Sequence, residues 1–196
     1  MDLTEGTLKE KEARSKKMML WFGIGSLIMT FAGLTSAFIV SRKREDWLND
    51  FELPQAFLIS LIVIVVSSIT MILAKRSITQ NNASQTTVWL LVTFILGVFF
   101  IYNQFSGFSE FVDRGLYFTG ATSNVTVSFI YVIAVVHIMH VVAGLISIVV
   151  VIINNLNKKY SSEHMLGIEL AAHFWHFVDI LWVCLFLFLY FFRYII

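Results

Sequence analysis

Six titratable side chains stand where so apolar a chain has least room for them. His137 and His140 lie three apart in VVHIMHVVAG, and Glu169, His173, His176 and Asp179 follow at intervals of four, three and three in ELAAHFWHFVDILW. At 100° per residue the second group falls within a helical face about 120° wide. A charged group at bilayer depth costs roughly 2.5–3.5 kcal/mol on insertion scales, so each needs a partner, a cavity or a task. Lipid offers no hydrogen bonds, and the face should therefore look into the protein.

Three chemistries suit these residues. Haem can be held by one histidine from each of two facing helices, which His137 or His140 with His173 or His176 would supply. Di-iron membrane oxygenases gather larger sets in HxxxH and HxxHH clusters, whereas this chain has five histidines and no adjacent pair. The second chemistry is structural: histidines bonded to hydroxyls, carbonyls or the carboxylates of Glu169 and Asp179 on neighbouring helices. The third is proton relay, because histidine titrates near neutral pH and pairs with carboxylates along membrane proton routes. Trp175 and Trp182 lie well inside the same apolar stretch, and with Tyr190, Tyr194 and many Phe they supply packing bulk or a surface that orders lipid chains.

The elements that must position these residues are membrane spans. Of 196 residues, 58% are hydrophobic and 14% charged, with a mean hydropathy of +0.79. That excludes a disordered chain and an ordinary water-soluble domain, and a formal net charge of +1 gives no pull toward nucleic acid. A span needs about 20 apolar residues to cross roughly 30 Å of hydrocarbon. Five stretches qualify, near 18–40, 54–74, 87–105, 126–153 and 170–192, and the first three carry no charge. The fold class is therefore all-α, an integral membrane bundle of five transmembrane helices. Residues 1–17 form a polar segment ahead of one domain over 18–196.

Several local features refine this picture. Pro54 suits the first turn of the second helix. The first apolar run exceeds a signal-peptide core and reads as a permanent helix, although Lys16, Lys17 and Thr35-Ser36-Ala37 resemble leader features. On that helix Ser26, Thr30, Gly33 and Ala37 form one stripe of small residues, a face expected to meet another helix. Cys184 lies in an apolar run and is expected to pack as a small hydrophobe. Placing the N-terminus in the cytoplasm puts nine Lys and Arg on that side and five on the other, including Arg42, Lys43, Arg44, Arg114 and Arg193. The positive-inside rule favours that orientation, with the C-terminus outside.

The run from His164 to Trp182, HMLGIELAAHFWHFVDILW, resembles the C-terminal signature of subunit III of haem–copper oxidases, the cytochrome c and quinol oxidases of respiration. The matching residues are His164, Gly167, Glu169, Ala171, Ala172, Trp175, His176, Phe177, Val178, Asp179 and Trp182. HIMHVVAG is similar to a second family pattern, with His137, His140, Val141 and Gly144 in place and Ile138 where glycine is usual. Gly97, Phe99 and Gln104 of the third span match weakly. Five helices resemble the shorter bacterial form of this family.

The resemblance implies a subunit without haem, copper or another metal of its own and without catalytic residues. It implies packing beside subunit I, with subunit II and small subunits as further partners, in a bacterial inner membrane. It also implies a V-shaped arrangement of two plus three helices holding phospholipid, and support for proton uptake during electron transport to oxygen. His137, His140, Glu169, His173, His176 and Asp179 would then form a lipid-binding or structural polar network, with Gly33, Gly144, Trp175 and Trp182 in lipid or helix packing. The family's usual carboxylate on the first span is replaced by Leu27, and Gly107 stands near the place of a second one. Donor binding lies in other subunits, and this sequence carries no signal for haem type or supercomplex membership. Two rival readings remain: a membrane haem or di-metal oxidoreductase using its own histidines, and a subunit III-like accessory of a nitric oxide reductase.

Overall fold

A computed structural model describes residues 7–48, 51–120, 123–162 and 164–192; Arg193 and Tyr194 lie outside them. The five spans are five helices: α1 (Leu8–Val40), α2 (Gln55–Thr79), α3 (Ala83–Asp113), α4 (Val125–Leu156) and α5 (Leu166–Phe192), with one short 3-10 turn at Ser41–Lys43. All five are long and apolar enough to cross a membrane, and no strand occurs among the described residues. The chain is a multi-pass membrane protein.

The helices outrun the apolar stretches because polar caps extend them. Thr7 and Glu10 close a reciprocal capping box at the start of α1, so the 33 residues of that helix span about 50 Å and carry Leu8–Lys17 beyond the hydrocarbon. Asn82 and Asn124 cap α3 and α4 by accepting from the N–H of Gln85 (3.1 Å) and Val127 (2.9 Å). Pro54 does not enter the first turn of α2 as expected; it is the N-cap, and the helix begins at Gln55. Asn81 takes the left-handed conformation (φ 56°) that lets α2 reverse into α3.

That tight turn makes α2 and α3 an antiparallel pair along their whole length. Thr70 and Thr93 share a 2.8 Å hydrogen bond across it, and Gln104 Nε2 donates to Ser60 Oγ at 2.7 Å. α5 lies in the groove between this pair and α4, while α1 rests on α4 and α5. The grouping of the first two spans into one arm is corrected by these contacts, since α1 makes no backbone approach to α2 among the described residues. The physical reason is the connector over 41–54, which is long enough to release α2 from α1.

α1 seats through Ile24, Phe31 and Phe38, seven residues apart and therefore on one face. Phe38 packs against Phe129 of α4 (6.1 Å between rings) and Phe188 of α5 (5.8 Å). The small-residue stripe, expected to meet another helix, meets none of this chain's among the described residues. Ser26, Thr30, Gly33 and Ala37 are exposed, and a side chain added at Gly33 would meet nothing within 4 Å. Bulk, not smallness, fixes α1 on this chain. Cys184 also departs from expectation, lying on the exposed outer side of α5.

Candidate functional site: the inward face of the fifth helix

α5 presents Trp175, Val178, Asp179 and Trp182 to the other helices, all of them buried. Trp175 is fully enclosed, and its indole Nε1 donates to Ser67 Oγ of α2 at 3.0 Å. Its ring fills a slot made by two glycines. A Cβ on Gly97 of α3 would stand 2.7 Å from Trp175 Cη2, and one on Gly144 of α4 would stand 2.8 Å from Cε3. One side chain thus fixes four helices. Gly144 and Trp175, both expected in packing, meet directly.

Two turns along, Trp182 stacks on the His137 ring (4.9 Å, 28° between planes) and takes the ring edges of Phe57 (5.8 Å) and Phe100 (5.4 Å). His137 is fully buried among these rings and Phe31, and neither of its nitrogens has a hydrogen-bond partner among the described residues. Asp179, 2% exposed, likewise makes no hydrogen bond of normal geometry. Beside it lies the Ser68 hydroxyl, which is 2.6 Å from His176 Nδ1. If His176 donates from Nδ1, the Ser68 O–H is released to turn toward Asp179. That tautomer serves all three groups and is the one favoured.

The predicted network therefore divides. Asp179, His176 and Ser68 form one cluster at the α2–α5 contact, while His137 sits apart in an aromatic cage with Trp182. His140 Nδ1 donates to the Val136 carbonyl of its own helix at 2.7 Å, and its ring meets Phe31 edge-on at 5.9 Å. His173 is exposed and donates from Nδ1 to the Glu169 carbonyl at 2.6 Å. Glu169 pairs with Lys17 of α1 at 3.2 Å, a partner the helical spacing could not indicate. The 120° face is thus inward only at its Asp179 edge. Gly33 belongs to neither group. Among the described residues, no three His, Cys, Asp or Glu side chains converge as metal ligands would.

Sequence reasoning missed the partners supplied by α2. Ser67 and Ser68, adjacent polar residues in the apolar run VIVVSSITMIL, were the available signal. Leu27 is half-buried on α1, and Gly107 is covered by the Phe57 ring.

The family model for cytochrome c oxidase subunit III matches residues 44–194, more than three quarters of the chain. The chain belongs to the cytochrome c oxidase subunit III family. Its match begins after α1 and takes in α2 to α5. A cytochrome c oxidase subunit 3 of Spodoptera frugiperda is 33% identical over 145 residues, 72% of this chain and 90% of that relative. The subunits 3 of Petromyzon marinus and Drosophila melanogaster are 32% and 33% identical over 146 and 145 residues. The chain spans about half the length of these last two relatives, 51% in each case.

Proposed function

We propose that this chain is a non-catalytic subunit of a haem–copper respiratory oxidase, cytochrome c oxidase foremost. In this reading it packs beside a catalytic subunit I that carries haem and copper. The observation that supports it best is the fate of the signature residues. Trp175, His176, Asp179 and Trp182 are spent on contacts inside the chain, so none is presented to a substrate. Meanwhile the outer faces expose a broad apolar surface including Trp21, Phe22, Phe99, Phe105 and Phe191. Such a surface suits lipid and neighbouring membrane subunits.

The finer parts of the proposal follow the same reading. The protein would reside in a bacterial inner membrane with its N-terminus cytoplasmic and its C-terminus periplasmic, hold phospholipid, and stabilise subunit I. With Leu27 in place of a carboxylate, any support of proton uptake falls to Glu169, His173, His176 and Asp179. Purification in mild detergent tests the core claim: a larger partner with haem and copper should copurify. Recovery of the chain alone, with no haem-bearing partner, would overturn it. The identity of the partner separates an oxidase from a nitric oxide reductase. An optical spectrum of the isolated chain should be blank, and a haem band in it would overturn the non-catalytic assignment.

A further inference from the structure

Trp175 and Trp182 stand seven residues apart on the inward face of α5, and Ser67 and Ser60 stand seven apart among the buried residues of α2. The two helices run in opposite directions, since Trp182 meets Phe57 (5.8 Å between rings) while Trp175 bonds Ser67. The step that sets Trp175 against Ser67 therefore sets Trp182 against Ser60. At the first step the indole Nε1 donates to the serine hydroxyl at 3.0 Å. At the second it does not: Trp182 is buried, and its Nε1 has no acceptor among the described residues.

The difference is made by Gln104 of α3. Ser60 Oγ donates to the Phe57 carbonyl at 2.8 Å and accepts from Gln104 Nε2 at 2.7 Å. With the serine proton spent on a carbonyl, only the NH2 end of the amide can face the hydroxyl, so the orientation of Gln104 is fixed and Oε1 is left over. Oε1 is buried and has no donor among the described residues. It belongs to the same neighbourhood, because Gln104 follows Phe100 by one turn of α3 and Phe100 sets its edge against Trp182 at 5.4 Å. One N–H donor, one amide oxygen and the remaining lone pair of Ser60 thus share an interior bounded by the rings of Phe57, Phe100 and His137.

What completes this set must accept one N–H, donate to two oxygens and fit between packed rings. An anion offers no donor for the oxygens, and a cation offers no acceptor for the indole. Water meets all three requirements, and buried waters make about three hydrogen bonds to groups that have no other partner. We propose that one water molecule is bound between α2, α3 and α5, accepting from Trp182 Nε1 and donating to Gln104 Oε1 and Ser60 Oγ. It gives Trp182 the anchor that Ser67 gives Trp175. His137 stays outside the set, because it lies on the face of the indole at 4.9 Å whereas the Nε1–H points along the ring plane. The site lies wholly within the chain, so it goes beyond the subunit reading and does not depend on which partners accompany the protein.

The test uses the full chain in phospholipid bilayers, with isotope-labelled indole nitrogens and glutamine side-chain carbons. Proton-detected solid-state NMR reads, for each indole N–H, the magnetisation it receives from water protons. The Trp182 signal is identified by its loss in Trp182→Phe. It should receive a transfer from water several-fold stronger than that of Trp175, which is closed on Ser67. Gln104→Leu should remove this transfer while the Trp175 signal stays in place, the sign that the bundle is intact. A Trp182 indole that receives no more from water than Trp175 does, or one in direct contact with the Gln104 amide carbon at hydrogen-bond distance, would overturn the proposal. So would a transfer of unchanged strength in Gln104→Leu. The unaltered chain decides by itself, so a variant that fails to fold leaves the proposal falsifiable.

Discussion

Gly144→Ala adds one methyl group at the point where α4 meets the Trp175 indole. The new Cβ would stand 2.8 Å from Cε3 and 3.0 Å from Cζ3. Carbon atoms settle at about 3.5–4.0 Å, so the ring has to retreat by roughly 0.7 Å. The far side of the ring is closed by Gly97, where a Cβ position lies 2.7 Å from Cη2, and by the 3.0 Å bond to Ser67. Forcing a methyl into such a core costs about 1–3 kcal/mol. Losing the indole bond adds about 0.6 kcal/mol, the average for side-chain hydrogen bonds within membranes. The sum, about 2–4 kcal/mol, should be measurable by reversible unfolding in mixed micelles. In a Trp175→Ala background the same methyl enters the vacated space, and the penalty should vanish. A Gly144→Ala cost below about 0.5 kcal/mol, or an equal cost in both backgrounds, would refute the wedge.

Three further outcomes follow from the geometry. Ser68→Ala should destabilise by about 1 kcal/mol more than Ser67→Ala, because it strands His176 Nδ1 and also removes the hydroxyl beside the buried Asp179 carboxyl, whereas Ser67 serves the single indole N–H; equal costs in the same unfolding assay would argue against the three-residue cluster. His137→Leu should be neutral or stabilising, since a caged imidazole without hydrogen bonds is replaced by an apolar group; a loss above about 2 kcal/mol would mean that the ring has a partner in the assembled protein. Lys17→Gln should cost less than about 1 kcal/mol, the ceiling for exposed pairs, and the remaining effect should fade in high salt.

The spans were legible because about 20 apolar residues have few other uses, and the run from His164 to Trp182 was legible through its spacing. Helix ends were less so. Thr7, Asn82 and Asn124 act on N–H groups beyond the hydrophobic stretch, where hydropathy carries no signal. The seating of α1 was not legible, because small residues permit close approach without naming a neighbour, while Phe31 and Phe38 supply the contact within this chain. The two-plus-three grouping failed for a reason outside any span: the connector over 41–54 lets α2 leave α1, and the turn at Asn81 binds α2 to α3. For the site, Trp175 and Gly144 were visible as residue types, yet Gly97 gains its role only when α3 is brought against the same ring.

The polar and small residues of this bundle share one physical task. Lipid is as apolar as a leucine side chain, so burying apolar surface gives little drive for one helix to prefer another. What distinguishes the native register of α5 is therefore contact that lipid cannot imitate. The Trp175 slot does this by shape, closing on two glycines and one hydroxyl at once. Ser68 does it by chemistry, since sliding α5 by one turn would move His176 and Asp179 about 5.4 Å from the hydroxyl beside them and leave them facing Val65 or Ile72. The expense of two titratable groups inside a membrane is thus offset by the penalty they place on every other alignment. On this argument His176 and Asp179 are positioning residues of the helix pair, and their effect on any assembled oxidase is transmitted through the placement of α5.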